Sequence, residues 1–167
     1  TSIRAYLALV CALSVAATAP TDESNPTGAG WKDLLAVDAL ADGWWGYKTD
    51  QPPAAWSLAD GVLTGNGTGG DLVTREEYGD FDLRFEFNVA KGGNSGVIYL
   101  ASEAGQHAYE TGPEYQVLDP KYPGVNEKNG PGALYDLYPA PLTVSKPAGE
   151  WNTGRIVLRD GHVEHWL

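Results

Sequence analysis

Residues 112–119 read GPEYQVLD. Tyr115 and Val117 alternate with Glu114 and Gln116, the period-two pattern of a half-buried strand. With Tyr115 and Val117 on a core, Glu114, Gln116 and Leu118 point the other way. A carboxylate and an amide then stand side by side, either as the floor of a site or as an ordinary solvent face. Gly112-Pro113 and Asp119-Pro120 bracket the strand and fix its ends. Hydrolysis by a carboxylate pair needs two groups about 5–5.5 Å or about 6.5–9.5 Å apart. Glu114 and Asp119 fall on opposite faces, roughly 16 Å apart along a strand, so they are not such a pair. Glu86 serves as a second carboxylate only if its strand neighbours Glu114. His165 is competent as acid or base near neutral pH, but its place between Val163 and Leu167 equally suits a hydrogen-bonded core histidine. Glu and His are also competent ligands for a divalent cation. No H-x-H spacing occurs, and the one H-x-x-E, His107 to Glu110, offers only two ligands, so no local metal site and no cofactor are indicated.

The elements that position these groups read as strands. FDLRFEFNVA (81–90) is the clearest pattern: Phe81, Leu83, Phe85, Phe87 and Val89 face one way, and Asp82, Arg84, Glu86 and Asn88 the other. KGGNSG (91–96) is a turn, with Asn94 and Ser95 as turn residues or hydrogen-bond donors, and VIYLA (97–101) returns as an apolar central strand. Hairpins are predicted around Asp60-Gly61 and Asp160-Gly161, a short strand ends near Arg75, and ALYDLY (133–138) reads as another. A short helical turn over 34–40 is broken by Asp42-Gly43. Sustained helical periodicity is absent, so the fold class is all-β, a sandwich or barrel. The pattern stops at Leu167 without a turn, and at least one more hairpin is expected to follow.

The chain of 167 residues carries a formal net charge of −11, with 21 Gly, 11 Pro, 6 Trp and 9 Tyr. This length forms one domain with a sizeable core. Such an acidic surface argues against nucleic acid and anionic membranes as partners, and a neutral sugar fits it. Aromatic rings fill cores first, but they also make platforms for sugar rings. Residues 4–19, RAYLALVCALSVAATA, place an Arg before a short apolar run and small residues, the layout of a secretory signal peptide. The run is too short to span a bilayer. The expected organisation is a signal peptide over 1–19, a flexible leader over 20–30 and a β-domain over 31–167. The mature chain is then periplasmic or secreted, without a membrane-inserted segment and without cysteine. Cys11 follows Val10 rather than a small residue, which makes a lipoprotein anchor a weak alternative. Asn66-Gly67-Thr68 is a glycosylation sequon, relevant only in a eukaryotic secretory pathway.

GGNSGVIYL, YETGPEYQVLD, GALYDLYPAP, GEWNTGRIVL and DGHVEHWL occur in this order. Together they resemble the 3-keto-disaccharide hydrolase domain family over roughly 30–167. The resemblance implies a two-sheet antiparallel jelly-roll sandwich, similar to concanavalin A-type lectins and glucanases. It further implies a hydrolase acting on glycosides already oxidised at C3. Such a ketone acidifies the C2 proton, so one general base, donors to the enolate oxygen and an acid for the leaving group suffice for elimination followed by hydration. On this reading Glu114 is the base and His165 the acid. Gln116, Asn94, Ser95, Glu86, Tyr135, Trp151 and Trp166 contact an oligosaccharide or glycoside substrate. Two rival classes remain: a non-catalytic carbohydrate-binding module on the same fold, and an ordinary glucanase, whose E-x-D-x-x-E pattern is missing here.

Overall fold

The computed structural model describes residues 6–10 and 30–167. Among the described residues there are ten strands: β1 (Tyr6–Val10), β2 (Trp44–Gly46), β3 (Trp56–Ala59), β4 (Val62–Gly65), β5 (Leu72–Thr74), β6 (Phe81–Asn88), β7 (Asn94–Ala101), β8 (Glu114–Leu118), β9 (Trp151–Arg159) and β10 (His162–Trp166). They form a five-stranded sheet of order β2-β5-β1-β7-β8, a three-stranded sheet β10-β9-β6 and the hairpin β3-β4. Every described pairing is antiparallel. The protein is a two-sheet antiparallel β-sandwich of the concanavalin A-like type.

Alternation builds the core. Phe87 and Val89 from the three-stranded sheet meet Val97, Tyr99, Tyr115 and Val117 from the five-stranded one, with Phe81, Leu83 and Phe85 packed against them. Tyr115 is fully buried, and its ring meets Phe85 edge-on at 5.2 Å between centroids. Trp44, Trp56 and Leu72 continue this interior, and Leu34 touches both parts. The opposite face of the five-stranded sheet carries a separate cluster of Val73, Ile98, Ala101 and Ala108, overlain by Trp45 and Tyr47. Leu100, with φ of 54°, interrupts the alternation of β7, so that Ala101 joins Ile98 on that second face.

Both predicted hairpins form, and their turn residues Asp60-Gly61 and Asp160-Gly161 all have positive φ, as a tight primed turn demands. The helical turn lies later than expected: the four-residue helix α1 covers Leu40–Gly43, and Asp42 accepts a hydrogen bond from the Ala39 N–H. Segment 133–138 is not a strand. Asp136 takes φ of 61°, and Leu137 and Tyr138 both donate back to the Leu134 carbonyl, closing a turn that leaves only isolated bridges. Within the stretch expected to be a signal peptide (1–19), Tyr6–Val10 pairs with β5 and β7. The small residues after it, with Cys11 and the expected cleavage region, lie outside the described residues.

Candidate functional site

Glu114 and Gln116 share one face of β8, with Tyr115 and Val117 buried on the other. The register pairs Glu114 with Ile98 and Gln116 with Gly96, so both polar side chains lie beside the apolar cluster on the non-core face of the sheet. Gly96 makes room: a Cβ built there would overlap Glu114 Oε1. Burial pushes the Glu114 carboxyl up to about 7, and the nearby Asp71 carboxylate adds to the effect. Asp71 opens β5, and its carboxylate accepts the Ala108 N–H at 3.3 Å. Tyr47 donates to the carbonyls of Ser102 and Gly105 at 2.7 and 3.0 Å, holding the 102–111 loop over the same face. Gln116 is only 2% exposed, and its Oε1 has no partner among the described residues.

The segment after the 120–132 loop runs along the free edge of β8. Gln116 accepts the Gly132 N–H at 2.9 Å and donates to Ala133 at 3.1 Å, while Tyr135 N–H reaches the Glu114 carbonyl at 3.0 Å. With Leu134 bridged to Tyr115, Tyr135 stands opposite Glu114 on the same face, 43% exposed. Asn94, paired with Leu118 and exposed, belongs to this face too.

The other predicted residues lie elsewhere. His165 is in the interior between the sheets, on the far side of β8 from Glu114. Its ring sits 4.8 Å from that of Tyr115, its Nδ1 is 3.2 Å from the Gly132 carbonyl and its Nε2 is 3.0 Å from the Tyr99 hydroxyl. A carbonyl only accepts, so Nδ1 carries the proton and Nε2 accepts from Tyr99. Burial lowers the tendency of this imidazole to take a second proton, which the Gly132 and Ala133 carbonyls only partly offset. His165 is thus the hydrogen-bonded core histidine that its spacing allowed, and the expected pairing with Glu114 is not formed. Ser95, opposite Val117, also faces the interior. Glu86 pairs with Thr153 in the other sheet, on the outward set of β6, so it does not neighbour Glu114. Trp166 projects from that same outward side, and Trp151 opens β9 with its indole N–H buried and without a partner among the described residues. Asp119 caps the end of β8. Its carboxylate accepts the Gly92 and Lys121 N–H groups at 2.7 and 2.8 Å, and these bonds, the Gly92 one foremost, hold it below the usual carboxylate range.

Sequence reasoning missed Asp71, Trp45 and Tyr47. The alternation of Trp45 and Tyr47 in WWGYK was the available signal, whereas nothing local marks Asp71. Among the described residues, no group of three or more His, Cys, Asp or Glu side chains is arranged to hold a metal ion. A cavity of about 350 Å³ near α1 is lined by Lys32, Asp42, Trp44, Arg75, Glu76 and Tyr78, among others. Its charged lining is internally paired, Lys32 and Tyr78 with Glu76, and Arg75 with the Ala41 carbonyl.

A concanavalin A-like sandwich with one proton-holding carboxyl beside a buried amide is the class that the fold and site define. Residues 30–167 match the 3-keto-alpha-glucoside-1,2-lyase-like domain family, and the chain belongs to that family. It is similar to a 3-keto-disaccharide hydrolase of Bacteroides thetaiotaomicron, with 36% identity over 148 residues, covering 74% of this chain and 51% of the relative. It is also similar in structure to a candidate glycosyl hydrolase from Parabacteroides distasonis, with TM-score 0.69 and 32% identity, covering 75% of this chain and 62% of that one. The chain therefore spans about half the length of the curated relative that it matches.

Proposed function

We propose that this domain cleaves 3-keto-glycosides by elimination at C1–C2 followed by hydration, with Glu114 moving the protons. The observation that carries this reading is the Glu114 carboxyl, half-buried beside an apolar wall and pushed up to about 7. A carboxyl titrating there both takes and gives protons near neutral pH, as general acid–base catalysis requires. Glu114 removes the C2 proton, and the C–H electron pair passes into an enolate on the C3 oxygen. When the ketone re-forms, C1=C2 closes and the C1–O bond breaks. The departing oxygen takes the proton from Glu114, which returns to carboxylate. Water then adds its oxygen to C1 and, through Glu114, a proton to C2. One carboxyl closes both half-reactions, so the route needs neither a carboxylate pair nor His165.

Gln116 supports the reading with its unpartnered Oε1. Leaving a buried acceptor unpaired costs about 1–3 kcal/mol, which a substrate hydroxyl would remove. Asn94 and Tyr135 border the same face and supply further polar and ring contacts.

The test incubates the protein with a 3-keto-glucoside and with its unoxidised parent. Release from the keto sugar alone is expected. Glu114→Gln should lose about 10²–10⁴-fold in turnover while still binding the keto sugar. Release from both substrates would instead indicate a glucanase, and binding without release a lectin-like module. A Glu114→Gln variant with wild-type turnover would overturn the assignment of the base.

A further inference from the structure

The outward face of the three-stranded sheet carries groups that the Glu114 chemistry does not use. The register sets Trp166 opposite Arg155, and Arg155 opposite Arg84. Trp31 packs on Arg84, with the guanidinium carbon 5.0 Å from its ring centroid. A row of ring, guanidinium, guanidinium and ring thus crosses the sheet. Trp166 and Trp31 are 54% and 39% exposed, respectively. Arg155 between them is fixed by two hydrogen bonds of 2.7 Å to Asp82, and Trp166 Nε1 donates to Glu164 at 3.1 Å. The two strand spacings between Trp166 and Arg84 measure roughly 10 Å, and the Trp31 ring centroid lies 5.0 Å from the Arg84 guanidinium carbon.

We propose that this row is a second carbohydrate site, a non-catalytic surface that takes a neutral glycan chain of about three sugar rings. Three features of the row select that ligand. Exposed indoles at both ends, Trp31 with Arg84 on one face, offer apolar ring surface to the C–H faces of sugar rings. Guanidinium N–H groups that Asp82 leaves free lie between them, and these suit ring hydroxyls. Charge sets the class: Arg84, Arg155 and Arg159 on this face are offset by Asp82, Glu86 and Glu164, so the surface is near neutral on a chain of net charge −11. Nothing there attracts a polyanion, and the chain as a whole repels one.

Native gels containing mixed-linkage β-glucan test the site. Retardation of wild-type protein and of Glu114→Gln to the same degree is expected, because the second surface lies on the other sheet. Trp166→Ala and Trp31→Ala should each weaken the apparent affinity roughly three- to tenfold, and the double variant should migrate as in a glucan-free gel. Trp166→Phe, which keeps a ring and a conservative volume, should retain most of the retardation, and it serves as the readout should the alanine variant misfold. Turnover of a small keto-glucoside in solution should be unchanged in the Trp31 and Trp166 variants. An unretarded wild type overturns the proposal, as does a double variant retarded like wild type. Retardation lost in Glu114→Gln but kept in the Trp variants would move glucan binding to the Glu114 face and overturn it equally, without touching the assignment of the base.

Discussion

A carboxyl that must hold its proton near neutrality is costly to the folded state, and Glu114 carries that cost in a predictable direction. The unfolded chain ionises this group above about 4.5, whereas the native state keeps the proton up to about 7. The native state binds more protons between these values, so stability falls as pH rises through the window and stays reduced above it. At 1.36 kcal/mol per unit the difference is on the order of 3 kcal/mol. Glu114→Gln should therefore melt higher than wild type at pH 8, with the gap closing near pH 4. A gap that persists at pH 4 would show that the gain has another origin. Gly96 bears on the same residue from the neighbouring strand. Gly96→Ala forces the Glu114 side chain from its seat, since the added Cβ overlaps Oε1. It should cut turnover at least tenfold, the scale of a misplaced catalytic group, while circular dichroism shows the sandwich intact. Wild-type kinetics in this variant would mean that Glu114 works from a different rotamer.

Between the strands, His165 acts as a fastener. The Gly132 peptide gives its N–H to Gln116 of β8 and its carbonyl to His165 of β10. The segment that carries Tyr135 is thereby tied to both sheets, and the Tyr115 hydroxyl adds a bond of 3.0 Å to the Trp166 carbonyl. His165→Leu leaves the Gly132 carbonyl and Tyr99 hydroxyl unpaired and should destabilise by about 1–3 kcal/mol. The acid limb of the pH–rate profile should stay where Glu114 sets it. If His165 were an acid in the reaction, the variant would instead lose the large factor of a catalytic group and a limb of the profile. The lowered affinity of this imidazole for a proton also has a sign. The unfolded chain protonates it below about 6.5 and the native interior resists, so this group removes stability as pH falls. The element scale is also where the sequence was most legible. Alternation in 81–90 and in 114–118 assigned inward and outward faces correctly, because period two is a local property. It could not say which outward faces belong to which sheet. Glu86 and Trp166 follow the same alternation as Glu114, yet they stand on the other sheet, a fact that only pairing between distant segments decides. The 133–138 turn was illegible for a related reason: its apolar alternation imitates a strand, and one positive φ at Asp136 overrides it.

At the scale of the whole molecule, the five-stranded sheet is continuous only through its first strand. Among the described residues, β5 and β7 each pair with Tyr6–Val10 and not with one another. A chain beginning after Val10 should therefore self-associate on size-exclusion chromatography, because two facing strand edges lose their ladder together. A trimmed chain that stays monomeric with an unchanged melting temperature would show that the edges close over the gap. The sequence marks this same stretch as material for an export leader, and one segment cannot be surrendered to a peptidase and kept as a central strand. A cut after Val10 would act on the sheet itself. It would create a vacancy in the middle of a sheet, with hydrogen-bonding edges on either side ready to capture an extended segment.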